Sequence, residues 1–325
     1  PVPLTSEADL RRHVRGSLDR RVTDRETFFY YNTGYTLLAL LVEEHAGQPF
    51  AEYVEEHVLE PAGMPRATFD ADAFEAVDDR MTPYLEGEDG IEPASFPFSR
   101  HTRGAGGLLA SVRDLANAVR LFIGHGAVDG ERVLTPESVD AMTTPVAAFG
   151  TYLDGSDVEY GYGTMLEPYL DDRLVGHAGN VVVSTAWFGY LEDAERGVAV
   201  ACNASAEPHP ADVGMGVLAL LDGRDPDAVQ PYYRFQAALD DVTGEYAGYR
   251  DVATATVEAV GGSLRVAVDA GAGEQELLAV PEAFDADELR CRTVGAGGFD
   301  REVRFDRRGD TVDLFYERAR LQQPK

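Results

Sequence analysis

Lysine is almost missing from this 325-residue sequence: Lys325 is the single example, and every other member of its 28 Lys and Arg residues is arginine. Two cysteines, Cys202 and Cys291, are too few and too far apart for a disulfide framework or a zinc site. No run of about 18 apolar residues occurs, which excludes a membrane-spanning helix. No charged-then-apolar signal segment opens the chain either, and its first residue is Pro1 rather than methionine, so a lost N-terminal segment is allowed for. The Gly-x-Ser-x-Gly elbow, the Walker loop and the His-Glu-x-x-His motif are all absent. Seven histidines (His13, His45, His57, His101, His125, His177 and His209) show no metal-ligand spacing, so no metal or other cofactor is expected.

Acid is what the sequence has in excess. Asp and Glu number 57, the formal charge is −29 and the pI is near 4.4. Such a field repels phosphate backbones and anionic lipid surfaces, so neither nucleic acid nor membrane is expected as a partner. An acid-rich, lysine-poor surface also suits concentrated salt, where carboxylate repulsion is screened within roughly 3 Å at 1 M. With 44% hydrophobic residues, the composition remains that of a globular protein.

Periodicity divides the chain. Helices are expected at 7–20, at 33–45 with Gly47 as a stop, from Pro49 to about Val58, after the capping-box sequence Ser111-Val112-Arg113-Asp114, and from Thr135-Pro136-Glu137 to Met142. Residues 69–103 read as irregular. Beyond Tyr160 the texture becomes strand-like at 174–177, 181–190 and 198–203, the last two forming a hairpin, and a helix follows at 211–221. After a linker and a short helix at 231–239, six or more short strands between 254 and 316 suggest a small antiparallel barrel or sandwich. The expected division is 1–223, a linker with a short helix at 224–242, and a barrel at 243–325.

Two stretches place polar groups on rigid supports. Tyr30-Tyr31-Asn32-Thr33-Gly34-Tyr35 sits directly before a helix, and His177-Ala178-Gly179-Asn180 sits where a strand begins, with small residues that let another backbone approach. Taken singly, the first reads as an aromatic anchor with a helix cap and the second as a strand edge. Their context is more specific. Phe29 to Tyr35, Gly47 to Met64, Ala105-Gly106-Gly107-Leu108 to Leu115, Leu134 to Met142, and Gly176-His177-Ala178-Gly179 together resemble the serine β-lactamase-related family over about residues 24–222. That family includes class C β-lactamases, D-alanyl-D-alanine carboxypeptidases and related esterases.

The resemblance implies an α+β fold, an antiparallel sheet with helices, and acyl transfer through Ser-x-x-Lys, Tyr-x-Asn and Lys-Thr-Gly or His-x-Gly motifs. Carried over by match, Tyr30 would move protons to and from the nucleophile and leaving group. Asn32 would hold a substrate carbonyl, and His177 would bind the substrate's carboxylate side or assist proton transfer. Ala178, Gly179 and Asn180 would line the substrate, with the Asn180 N–H as one oxyanion donor. These residues contain no Ser-x-x-Lys, because Gln322 stands three positions before the only lysine, and Ser6 and Ser17 have no lysine partner. The expectation is therefore an incomplete β-lactamase/transpeptidase-like domain, the C-terminal portion of a serine hydrolase whose nucleophile segment lies upstream. Its substrates would be small molecules or peptides with amide or ester bonds.

The tail, from Thr243-Gly244-Glu245-Tyr246 to Phe315-Tyr316-Glu317-Arg318, resembles the lipocalin-like barrel that follows such domains in some peptidases. That resemblance implies a homo-oligomer assembled through the barrel, or else a passive stabilising module. A non-catalytic binding and assembly protein is the alternative reading of the whole chain.

Overall fold

A computed structural model describes residues 6–17, 28–87, 90–98, 103–271, 273–309 and 311–323. The chain forms two units, one of residues 1–150 and 158–222, the other of residues 151–157 and 223–325.

The first unit begins with helices α1 (Glu7–Ser17), α2 (Asn32–Ala46) and α3 (Phe50–Val54). Helix α2 stops where Gly47 adopts a left-handed φ of 70° and donates its N–H to the Glu43 carbonyl. The helix expected from Pro49 to Val58 is regular only through α3, after which Glu55–Leu59 widens into a π-helical turn. Residues 69–103 are not wholly irregular. They hold α4 (Ala71–Glu75), capped by the Asp70 carboxylate, and a hairpin of β1 (Tyr84–Gly87) and β2 (Gly90–Pro93). The Asp70 cap was a readable signal for α4. The expected helix at 7–20 is seen to Ser17; residues 18–20 and His101 fall outside the described residues.

Helix α5 (Val112–Ile123) carries the capping box foreseen at Ser111 and Asp114. After it come a small hairpin of β3 (Ala127–Val128) and β4 (Glu131–Arg132), and then α6 (Pro136–Met142). Six strands follow: β5 (Ala147–Thr151), β6 (Asp157–Tyr160), β7 (Met165–Tyr169), β8 (Asp172–Asn180), β9 (Thr185–Leu191) and β10 (Arg196–Cys202). They form one sheet in the order β10-β9-β8-β7-β6-β5. Helix α5 packs one face through Val119 on Leu166, Val175 and Tyr190, with Phe122 stacked near Phe188. Helix α7 (Pro210–Leu221) covers the other face. There the Trp187 ring lies so close to Gly189 and Gly214 that a Cβ at either would fall 2.2 or 2.3 Å from it. Two helices locked on opposite faces make the sheet a rigid mount for β8.

In the second unit, α8 (Pro226–Val229) and α9 (Pro231–Asp240) lead into a closed barrel. Its strands are β11 (Gly244–Ala247), β12 (Thr254–Val260), β13 (Ser263–Asp269), β14 (Glu274–Phe284), β15 (Glu288–Val294), β16 (Asp300–Arg308), β17 (Thr311–Tyr316) and β18 (Ala319–Gln322). The terminal strands β11 and β18 are additional to the six read from sequence. They pair with each other through Ala247 and Gln322 and so close the sheet, removing its edges. Alternation sends Leu264, Val266, Leu289, Val303, Phe305 and Leu314 inward, all essentially inaccessible. Leu239 and Val242 join the same core, where the Tyr246 hydroxyl donates to the Val242 carbonyl at 2.7 Å. Burial pushes the Cys291 thiol up to about 12, which keeps it unreactive.

Candidate active site

Tyr30 precedes α2 by two residues, on the short segment 28–31, and His177 stands on β8 opposite Phe188 of β9. Distant in sequence, their rings lie 6.4 Å apart between centroids. The group that joins them is Tyr160 at the end of β6. Its hydroxyl lies 2.8 Å from His177 Nε2, and its ring centroid is 6.1 Å from that of Tyr30 in an edge-on arrangement. Phe28 and Phe149 pack against the Tyr160 ring, Phe149 in a stacked orientation at 6.0 Å. The chain can turn sharply after Tyr160 because Gly161 passes beside Met142: a Cβ there would fall 2.2 Å from the Met142 carbonyl oxygen.

Among the described residues, the electrostatics of this cluster come from burial without a compensating charge. Burial holds the His177 imidazole below its ordinary value, opposed by the Ala178 backbone carbonyl beside the ring. Burial raises the Tyr160 phenol well above the usual range, and the neighbouring Tyr30 and Tyr35 phenols raise it further. Tyr35, on the first turn of α2, is also raised by burial and by Tyr30. Among the described residues, no acidic or basic side chain contributes to the shift at His177.

The segment His177-Ala178-Gly179-Asn180 ends a strand rather than beginning one, since β8 starts at Asp172. The difference matters for hydrogen bonding. Val181 donates its N–H to Ser184, closing the tight turn to β9, so the Asn180–Thr185 pair one step back is a non-hydrogen-bonded one. The Asn180 N–H, and by the same alternation that of Ala178, therefore point away from β9. On that side the ladder with β7 has already ended at Met165 and Gly176. The Asn180 side chain accepts the Val182 N–H at 2.8 Å. Asn32 is exposed at the first residue of α2, where its carbonyl accepts the Thr36 hydroxyl.

A cavity of about 510 Å³ opens beside Tyr30, lined by Tyr30, Tyr35, Leu38, Val146, Tyr160 and neighbouring backbone. Phe29, Leu38 and Val146, which line it, are each more than half exposed, an unusual density of apolar surface. Ser6 caps α1: its hydroxyl donates to Asp9 Oδ2 at 2.6 Å and accepts the Asp9 N–H. The Ser17 side chain lies outside the described residues. Among the described residues no group of three or more His, Cys, Asp or Glu side chains is placed to hold a metal ion. Tyr35 and Tyr160 lie in the candidate site and were not among the residues singled out from the sequence. Tyr35 lay inside the quoted motif, and Tyr160 was marked only by the glycines at 161 and 163.

Residues 8–221 match the Beta-lactamase family, and residues 226–322 match the Pab87 octamerisation domain. The first match spans more than half of the chain, which therefore belongs to the β-lactamase family. A solved structure described as the octameric penicillin-binding protein homologue from Pyrococcus abyssi is similar along 99% of this chain and 71% of its own, with 30% identity and a TM-score of 0.84. A D-aminopeptidase of Brucella anthropi is 30% identical over 154 residues, 47% of this chain and 27% of its own length. The putative penicillin-binding protein PbpX of Bacillus subtilis is 27% identical over 143 residues, 43% of this chain and 32% of its own. The chain thus spans about a third or less of these curated relatives. A class C β-lactamase, 14% identical with a TM-score of 0.55 over 67% of this chain and 64% of its own, shares the fold.

Proposed function

We propose that this chain is the Tyr- and His-bearing portion of a serine hydrolase that acts by acyl transfer on amide or ester bonds, with D-amino-acid peptides, small esters or β-lactams as its substrate class. The observation that carries the reading is the convergence of Tyr30, Tyr160 and His177 at the rim of an open apolar cavity. In this reading Tyr30 exchanges a proton with the nucleophile and leaving group. Asn32 holds the substrate carbonyl, His177 with Ala178 and Gly179 borders the substrate, and the outward Asn180 N–H donates to the oxyanion. The nucleophile belongs to a Ser-x-x-Lys segment outside these 325 residues, seated in the cavity beside α2. The β-lactamase family match and the D-aminopeptidase relatives support hydrolysis of this kind.

The same reading divides the chain into a hydrolase portion to residue 223, a linker to 242 and a lipocalin-like barrel from 243. The eight-stranded closed meander supports that form for the tail. The octamerisation-domain match and the octameric Pyrococcus homologue support homo-oligomerisation through it. The experiment is intact-protein mass spectrometry after incubation with a penicillin or a p-nitrophenyl ester. Residues 1–325 alone should form no stoichiometric adduct, while the gene product extended through an upstream Ser-x-x-Lys should. A stoichiometric adduct on Ser6 or Ser17, or an extended product without that motif, would overturn the assignment.

A further inference from the structure

A phenol ordinarily titrates near 10, so Tyr30 needs help to accept a proton at neutral pH. What faces Tyr30 is a second phenol and, behind it, an imidazole.

We propose that Tyr160 is a positioning residue for the hydrolase site, a hydroxyl relay that couples the protonation of Tyr30 to that of His177. The inference rests on the functional reading of Tyr30 above. Three observations support it. First, the Tyr160 hydroxyl is 2.8 Å from His177 Nε2, so a hydrogen bond joins them. In the tautomer that carries its proton on Nδ1, the neutral Nε2 is the acceptor and Tyr160 the donor. Second, with its proton directed at His177, the Tyr160 oxygen keeps lone pairs for a neighbouring phenol, and the Tyr30 ring stands edge-on to it with centroids 6.1 Å apart. Third, the Tyr30 and His177 centroids are 6.4 Å apart, while Tyr160 lies between 5.9 and 6.1 Å from each and bonds directly to the imidazole. Tyr160 is the neighbour that both share, and it is hydrogen-bonded to one of them.

The proton movement balances without any further reactant. Tyr30 passes its phenolic proton to the Tyr160 oxygen, and Tyr160 passes its own to His177 Nε2. A Tyr30 phenolate and a His177 imidazolium remain, with Tyr160 neutral throughout. The phenolate is then free to take the proton of an attacking hydroxyl, and the chain resets in reverse when that proton goes to the leaving group. Tyr160 suits a neutral intermediary because burial and the neighbouring phenols both disfavour its own ionisation. The titratable groups facing His177 in this cluster are Tyr30 and Tyr160, with Tyr35 behind Tyr160.

The test uses the 325-residue chain and needs no turnover, so it can fail independently of the acylation experiment. The imidazole of His177 is followed by ¹⁵N NMR across pH in four proteins: wild type, Tyr30→Phe, Tyr160→Phe and the double variant. Phenylalanine preserves the ring packed by Phe28 and Phe149, and emission from Trp187 reports retention of the fold. In wild type, the neutral ring should show a hydrogen-bonded, unprotonated Nε2 and a protonated Nδ1. Tyr160→Phe should move the Nε2 resonance to the range of a free acceptor. Tyr30→Phe should shift the His177 resonance and titration midpoint when Tyr160 is present and leave both unchanged when it is Phe. An equal shift in both backgrounds, or none in either, overturns the relay; so does an Nε2-protonated neutral ring in wild type.

Discussion

A methyl group added at Gly214 tests whether the sheet that carries His177 is locked by the Trp187 contact. That methyl would sit 2.3 Å from both Cε3 and Cζ3 of the indole, against a comfortable carbon–carbon separation of about 3.5–4.0 Å. Helix α7 and strand β9 would have to separate by at least about 1.2 Å, or the indole would have to leave its rotamer. Gly189 hems the same ring, since a Cβ there would fall 2.2 Å from Cζ2. Overpacking of this kind costs about 1–3 kcal/mol, whereas replacing a helical glycine by alanine gains at most about 1 kcal/mol. Gly214→Ala should therefore destabilise the first unit by about 1–2 kcal/mol, lowering its melting midpoint by about 3–6 °C. Because Trp187 is the only tryptophan, intrinsic emission reports on this one contact and should shift as the ring moves. Adding Trp187→Phe, which removes the clashing atoms, should recover part of the loss in a double-mutant cycle followed by circular dichroism. A Gly214→Ala protein that melts at or above the wild-type midpoint with unchanged emission would refute the wedge.

His177 supplies a pH-dependent term whose sign follows from burial. Its folded value lies below the ordinary 6.5, so the unfolded chain binds the proton first as pH falls, and stability should decline from about pH 6.5 downward until the folded ring is also protonated. The measurement is the NMR titration of the ring; a midpoint at or above 6.5 would contradict the burial argument. Salt should act in the opposite sense to its effect on an ion-paired protein. At −29 formal charge, shortening the screening length from about 10 Å at 0.1 M to about 3 Å at 1 M relieves self-repulsion. The thermal midpoint should rise with KCl over that range, and a salt-independent midpoint would remove the case for salt adaptation.

Much of the architecture is local in origin and was therefore legible in the residues. The capping box at Ser111, the stop at Gly47, Pro136 in the first turn of α6 and the alternation of β12 to β17 each depend on neighbours within about four positions. The order and spacing of Tyr30, Asn32 and His177 within their motifs pointed to the family that the comparisons identify. Short or polar elements escaped for the same reason: α4, β1 and β2 bury little, so they have almost no periodic signal. Strands β11 and β18 are four residues each and are defined by the closure they make with one another.

Only the tertiary structure decided how the site is wired. Tyr160 carries no local signature of a functional residue. Its place between the two rings follows because β6 ends where β8 presents His177 and where the segment before α2 delivers Tyr30. The direction of the Asn180 N–H likewise depends on which pairs of the β8–β9 ladder are hydrogen-bonded, which is fixed by the turn that closes them. Sequence patterns record the periodicity of burial and the chemistry of caps and turns. The meeting of phenol and imidazole is set by long-range packing, which a local pattern does not encode.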